Sequence, residues 1–571
     1  MELNNSSSPN PAFTRNLLFI LPIGWLIINL LQACFTELAN DEAYYWMYAK
    51  NLNVGYFDHP PMIAVMIKAG YFLFKNELGV RILTVILSAL SIPLLYKLTG
   101  KKDFLLLFLL FCAIADFQVY GFIAVPDGPL MFFTILFFLL YREYLKEDKI
   151  LNVLALGIGI SLLLYSKYHG FLILFFTLIS NFSLLKRKSF YFVVLIAVVL
   201  YLPHILWQIA NDYPSYQYHV LNKAQYSYTP VTSLEYIVGQ ILVFGPLVGV
   251  ILIYAVLKQK TKGEPVARAM KFTFIGFFFF FLLSTFNARA EANWTAASAV
   301  PMLLLGHMYI TDKVQLRKWA IRLSVFSICL FMIFRINLVS DLFPAIGSKA
   351  FPEFYGWKSW AQIIDKKSAG APVAIMNSYQ KASKFSFYAK RDALSLNNTS
   401  YRRNQYDLWD IVDSMQGKKV LLVLGWEPGD PPKELFHFQT NKGTESGIFI
   451  DNFRSYTKIN IITGVNWFHF KPATEVSIPV TITSPYKVPL RFDMDSLYPV
   501  TLCYRLNYYD KFYEEKALMD MKDIVLDGSM KTVLKIKTPA QEGPYYLRLS
   551  LRCGWLPPSI NSRLMRMDIE K

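Results

Sequence analysis

Apolar residues in this chain come in long unbroken runs separated by short polar segments, and the runs stop near residue 340. A helix that crosses a bilayer needs roughly 20 mostly apolar residues. Eleven runs approach that length: 17–35, 78–96, 104–121, 128–145, 150–166, 168–185, 189–209, 236–256, 271–287, 294–310 and 319–340. They predict a polytopic α-helical membrane region over 1–340, with the fifth and sixth runs readable as one broken unit. The first run is too long for the core of a signal peptide and reads as a retained span.

The pattern changes beyond residue 340. Strand-like runs (APVAIMN, KKVLLVLGW, SGIFIDNF) alternate with helix-like ones (SYQKASKFSFYAK) to about 470, predicting an α/β domain over 341–470. Alternating strands such as EVSIPVTITS and YYLRLSLRCGW predict a β-rich, sandwich-like domain over 471–571. Cys503 and Cys553 fall in two of these strands, and a disulfide or two buried thiols fit the sequence equally.

Charge sets the orientation. The chain carries a net +17, which in a soluble protein would point to nucleic acid. Before residue 341 most of the basic excess sits instead in every second loop: Lys97, Lys101 and Lys102; Arg142, Lys146 and Lys149; Lys186, Arg187 and Lys188; Lys258 to Lys271; Lys313 to Arg322. Cytoplasmic loops carry such excess. The N-terminus is therefore expected in the cytoplasm and the C-terminal region outside it, with membrane lipids as surroundings and no nucleic-acid partner.

On this topology the unusual polar groups share the outer face: Asp41 and Glu42, Asp58 and His59, Asp127, Lys167 and His169, Arg289 and Glu291. Ionisable groups near membrane depth are costly and are either paired or functional. Asp41 and Glu42 begin a short stretch, to Lys50, that fits an amphipathic helix at the interface within the outer first loop 36–77. Adjacent helical residues point about 100° apart, so one of the pair faces a pocket while the other caps or pairs. A carboxylate there fits a general base that takes a proton from an attacking hydroxyl. Asp58 fits a turn residue or a donor contact, and His59 fits a hydrogen-bond donor to a phosphate. Asp127 fits a helix cap. Lys167 fits a snorkelling lysine or a cation facing charge that develops on a phosphate. Arg289 anchors a helix end, pairs with Glu291, or grips a phosphate in bidentate fashion. Tyr213, Tyr216 and Tyr218 in the outer loop 210–235 are interface residues or sugar-stacking rings. Asp41, Glu42 and Asp127 could share a divalent cation; no Cys or His cluster supports zinc. No P-loop and no sizeable cytoplasmic domain is present to hold a nucleotide sugar, so a sugar donor would be lipid-borne.

The segment DEAYYWMYAKNLNVGYFDHPPM resembles the first outer loop of the bacterial members of glycosyltransferase family 39, related to dolichyl-phosphate-mannose protein mannosyltransferases and to the aminoarabinose transferases of lipid A. PDGPLMFF, SKYHG and RAEANWTAASAVP resemble later motifs, and the likeness runs from about residue 15 to 410. The resemblance implies a GT-C fold and a polyprenyl-phosphate sugar donor. It implies inverting transfer to a lipid, glycan or protein acceptor at the outer face of the bacterial inner membrane. It implies Asp41 as the catalytic base and Asp127, Lys167 and Arg289 at the donor. The aminoarabinose transferases carry Glu-Lys before the Pro-Pro pair where this chain has Asp58 and His59. A neutral histidine is a poorer phosphate clamp than lysine, so the resemblance does not extend to aminoarabinose or lipid A specificity. The rival readings are a flippase of a lipid-linked sugar and a non-catalytic envelope assembly protein. A flippase would place its polar groups near the bilayer midplane rather than at one face.

Overall fold

A computed structural model describes residues 11–218, 228–425, 432–493 and 498–570. The N-terminal polar segment and the middle of the 210–235 loop lie outside the described residues. The chain divides into two compact units, one of Met1–Tyr213 with Tyr228–Tyr355, the other of Pro214–Ser227 with Gly356–Lys571.

The first unit is helical. Its helices are α1 (Pro11–Phe35), α2 (Asn40–Lys50), α3 (Met62–Leu73), α4 (Glu77–Leu98), α5 (Phe104–Ala113), α6 (Ala115–Val119), α7 (Asp127–Lys146), α8 (Ile150–Ser166), α9 (Gly170–Ser180) and α10 (Lys188–Ala210). After a single turn, α11 (Pro214–Tyr216), which belongs to the other unit, come α12 (Pro230–Val243), α13 (Val248–Lys258), α14 (Pro265–Ser284), α15 (Ala299–Thr311) and α16 (Val314–Ser340). Local chemistry sets several ends. Asn76 caps α4 by accepting from the Gly79 amide at 3.3 Å, and Asp103 caps α5 through Leu106 at 3.2 Å.

Among the described residues, six helices are long and apolar enough to span a membrane (α1, α4, α7, α10, α14 and α16), and α12 with α13 makes a seventh if that pair, bent by 99°, is one span. This is fewer than the eleven runs read from the sequence. The run 104–121 breaks at Ile114, whose extended backbone separates α5 from α6. The run 236–256 breaks near Gly245, held at φ +100° in a region that favours glycine. The run 294–310 opens as a 3-10 turn, Ala292–Ser298, and continues as α15, whose residues Ala299 to His307 are all buried. Its apolar character serves the protein core rather than lipid. By contrast α10 leaves Phe192, Leu195, Val199, Leu206 and Ile209 exposed, as a lipid-facing helix does. Helix α2 occupies the stretch expected to be amphipathic, yet it is buried on nearly every side, with Tyr44, Tyr45, Trp46 and Tyr48 all enclosed.

The second unit is rich in sheet. Helices α17 (Trp357–Ser368) and α18 (Tyr379–Ala389) accompany strands β1 (Val373–Met376), β2 (Ala393–Leu396), β3 (Val420–Leu424), β4 (Phe436–Thr440) and β5 (Gly443–Ile450). These strands form one sheet in the order β2-β1-β3-β5-β4, with β2, β1 and β3 parallel and α18 crossing between β1 and β2. There follow β6 (Asn460–Thr463), β7 (Trp467–Phe470), β8 (Glu475–Thr483), β9 (Leu490–Arg491), β10 (Val500–Tyr508), β11 (Lys511–Asp520), β12 (Val525–Leu526), β13 (Ser529–Lys537), β14 (Gly543–Cys553) and β15 (Met565–Ile569). A five-stranded sheet, β11-β10-β14-β15-β7, and a three-stranded one, β13-β8-β6, share a core that includes Ile478, Val480, Leu502, Leu506, Leu547 and Leu549. Residues 545 to 551 of β14 are buried on both faces, one against this core and the other away from it. Cys503 lies opposite Ser550 and Cys553 opposite Val500, and the two are not joined in a disulfide. The register, not the presence of two cysteines, decides between the disulfide and the thiols.

Candidate active site

The first unit gathers its ionisable residues through two buried ion pairs. Arg81 of α4 donates from Nε to Glu42 Oε1 at 2.7 Å and from Nη2 to Oε2 at 2.5 Å. Glu42 Oε2 also accepts from the Ala39 amide at 2.8 Å, closing the start of α2, and Oε1 accepts from the Ala124 amide at 2.8 Å. Glu42 therefore ties α2, α4 and the loop before α7 together. It is the member of the acidic pair that caps and pairs.

Asp41, one position earlier, is only half-buried. The Tyr120 phenol lies within electrostatic reach of Asp41, Asp116 and Asp127 and near the side chain of Asn293. Asp127 opens α7 without capping it; both its oxygens accept from Lys167 Nζ, at 2.7 and 2.9 Å, with both side chains about 5% exposed. Lys167 thus neither snorkels nor faces lipid. The geometry of a bidentate contact consumes two of its three N–H groups at most.

The remaining predicted residues divide. Asp58 is buried, and its Oδ2 accepts from Tyr44 at 2.7 Å and Tyr48 at 2.9 Å, binding the Asp58-His59-Pro60-Pro61 turn to α2. The His59 ring sits edge-on to Tyr45 at 5.7 Å. His169 packs against Phe281 and Trp294. Arg289 and Glu291 are both exposed. Tyr213 is exposed as well; Tyr216, also exposed, and Tyr218, which lies against Arg402, belong to the other unit. Glu42 is taken up by Arg81 and so is not offered to an ion shared with Asp41 and Asp127. Among the described residues no three His, Cys, Asp or Glu side chains are placed to hold a metal.

Sequence reasoning missed Arg81, Asp116, Tyr120, His204 and Arg335. Arg81, Asp116 and Arg335 each lie inside or beside an apolar run, which is itself the signal. Asp116 Oδ2 is buried with no hydrogen-bond partner among the described residues, beside the Asp127–Lys167 pair. Arg335 of α16 donates to Asn29 Oδ1 at 2.9 Å and to the Gln118 carbonyl at 2.6 Å, joining α1, α6 and α16. His204 of α10 bonds Tyr168 at 3.1 Å and the Val54 carbonyl at 2.9 Å. A Cβ on Gly55 would come within 2.4 Å of Trp207, so only glycine lets the first loop lie this close to α10.

A family model described as dolichyl-phosphate-mannose-protein mannosyltransferase matches residues 58–207, the stretch that holds Asp58, Asp127 and Lys167. The solved structure of ArnT from Cupriavidus metallidurans in the apo state is similar with a TM-score of 0.56 at 13% identity, covering 76% of this chain and 98% of that one. The same protein bound to undecaprenyl phosphate is similar with a TM-score of 0.53, again at 13% identity over 76% and 98%. The fold is that of the GT-C membrane glycosyltransferases, and the chain is related to that group of enzymes. In sequence it is similar to the lipid A galacturonosyltransferase RgtD of Rhizobium johnstonii, 23% identical over 310 residues. The match takes in 51% of this chain and spans 64% of the length of that relative.

Proposed function

We propose that the protein is an inverting glycosyltransferase that moves a sugar from a polyprenyl-phosphate donor to a lipid, glycan or protein acceptor at the outer face of the bacterial inner membrane. The single observation that carries the reading is that the Tyr120 phenol lies within electrostatic reach of both the half-buried carboxylate Asp41 and the buried Asp127, which Lys167 pairs. In this reading an acceptor hydroxyl attacks the sugar C1 and the bond from C1 to the phosphate oxygen breaks on the opposite face. Asp41 takes the hydroxyl proton. Lys167 meets the negative charge that grows on the departing phosphate, and Asp127 holds that ammonium in place. His59 and Arg289 are the further donors assigned to the phosphate, with Asp58 fixing the turn that carries His59.

Support for a lipid-borne donor comes from the ArnT neighbour's complex with undecaprenyl phosphate. Support for a lipid acceptor comes from the activity named for RgtD. The alternating basic loops support a cytoplasmic N-terminus and an extracytoplasmic second unit, with residues 1–340 as the catalytic domain and 341–470 and 471–571 as outer domains.

The test is transfer by purified protein in detergent, supplied with candidate polyprenyl-phosphate sugars and a lipid extract of the host membrane. Wild type should form product, and Asp41→Asn should form none while keeping the wild-type unfolding temperature. Equal product from both would remove Asp41 as the base.

A further inference from the structure

The second unit holds a cavity of about 380 Å³, within the range of small-molecule sites. One wall is the segment Thr399 to Arg402, which leaves the C-terminal end of β2. Tyr379, the first residue of α18 after β1, has its ring centroid 4.5 Å from the Arg402 guanidinium carbon. Ligands of α/β sheets bind outside the carboxyl ends of parallel strands. The opposite wall is the face of β10 and β14 that points away from the sandwich core, and it contributes Arg505 and Arg548.

Those two arginines are direct partners across the antiparallel pair. Like charges set directly opposite each other destabilise a sheet. The nearby acids do not remove the conflict. Arg505 reaches Glu515 only at 3.8 Å and otherwise donates to Asn507 at 3.3 Å. Asp407 is engaged by the Asn404 amide at 2.8 Å and by Asn397 at 3.0 Å, and Asp510 is the one acid on the cavity wall. Arg548 is 9% exposed, and its Nη1 is buried with no hydrogen-bond partner among the described residues. Burial and the neighbouring Arg403 push Arg548 down to about 10. A third arginine, Arg402, has its guanidinium carbon over the Tyr218 and Tyr379 rings, 4.8 and 4.5 Å from their centroids. The buried Thr399 hydroxyl likewise has no partner among the described residues.

A buried guanidinium with an unused N–H, facing a second arginine, is a site made for an oxyanion. The surroundings are not those of a bare anion site: Tyr218 and Tyr546 present rings, and Thr399 and Asp510 present hydroxyl-binding groups. Aromatic faces with hydrogen-bonding groups between them suit the apolar face and hydroxyl rim of a sugar. The geometry points to a binding site in the second unit for an anionic sugar residue, its phosphate or carboxylate held by Arg548, Arg505 and Arg402 and its ring by the tyrosines. The site stands apart from the transfer reaction and does not depend on it.

Isothermal titration of the full chain in detergent tests this with glucose 6-phosphate, glucuronate, glucose and inorganic phosphate as probes. At least one of the two anionic sugars should bind, with glucose and inorganic phosphate each weaker by about tenfold or more. Which of the two binds tells a phosphorylated sugar from a uronic acid. Arg548→Gln and Arg402→Gln should each weaken the bound sugar by about tenfold. Arg402 is the less buried of the two, so it carries the test if Arg548→Gln lowers the unfolding temperature. Asp41→Asn should bind as wild type does, which separates this site from the proposed catalytic one. Glucose binding as well as the acids, inorganic phosphate binding as well as the sugar acids, or no binding of any probe would each overturn the assignment.

Discussion

Arg81 of α4 grips both oxygens of Glu42 in α2, and neither side chain has any solvent exposure. Breaking a buried pair by removing one partner strands the other charge and costs about 3–5 kcal/mol. Arg81→Leu should therefore lower stability by about that amount. Replacing both partners, as in Glu42→Leu with Arg81→Leu, should recover part of the loss. Thermal unfolding of Arg81→Leu, Glu42→Leu and the double variant in one detergent measures this. A loss in the double variant equal to the sum of the single losses would rule out the coupling.

The Asp127–Lys167 pair separates structure from chemistry in a different way. Lys167→Met should reduce transfer by about a hundredfold or more, because one cation at a developing phosphate charge is worth about that much. It should also destabilise, since Asp127 would be left buried and charged. Adding Asp127→Asn to Lys167→Met should restore the unfolding temperature and leave transfer low. If the double variant regains wild-type transfer, Lys167 acts only through packing.

Asp407, in the second unit, gives a pH dependence. Burial raises its carboxyl above the ordinary value, against the lowering effect of Arg403 and its hydrogen bonds. A raised acid favours the protonated folded state, so its contribution is largest at low pH. That contribution declines as pH rises from about 4, the ordinary aspartate value, through the raised one. The unfolding temperature of wild type minus that of Asp407→Asn should fall across that window as pH increases. A difference that rises with pH would reverse the assigned cause.

None of the five cysteines is in a disulfide. Denatured protein kept from reductant should therefore titrate five thiols. Three thiols would mean that Cys503 and Cys553 have paired despite the offset of their strands.

Much of the architecture is legible without coordinates because it rests on composition over long windows. A run such as 189–209 is apolar for its whole length, and α10 is the long helix with outward apolar residues that such a run predicts. The strands of the second unit follow from period-two alternation, as in β8 and β13. The number of spans is less legible, because hydropathy measures how apolar a segment is and not what it faces. The segment containing α15 is as apolar as a membrane helix, yet it is short and enclosed by protein.

The candidate site divides along the same line. By itself the sequence determined that acids and cations cluster at the ends of apolar runs, because a charge there is too costly to be idle. It also determined that one of Asp41 and Glu42 had to face away from the other, from helix geometry alone. Only the tertiary structure decided which. Arg81, 39 positions further along the chain, reaches Glu42 and leaves Asp41 half-buried near Tyr120. Likewise Lys167 meets Asp127 across 40 positions, and Arg548 meets Arg505 across a strand register. Such pairings depend on distances in space between residues far apart in sequence, and the packing of whole helices and sheets fixes those distances.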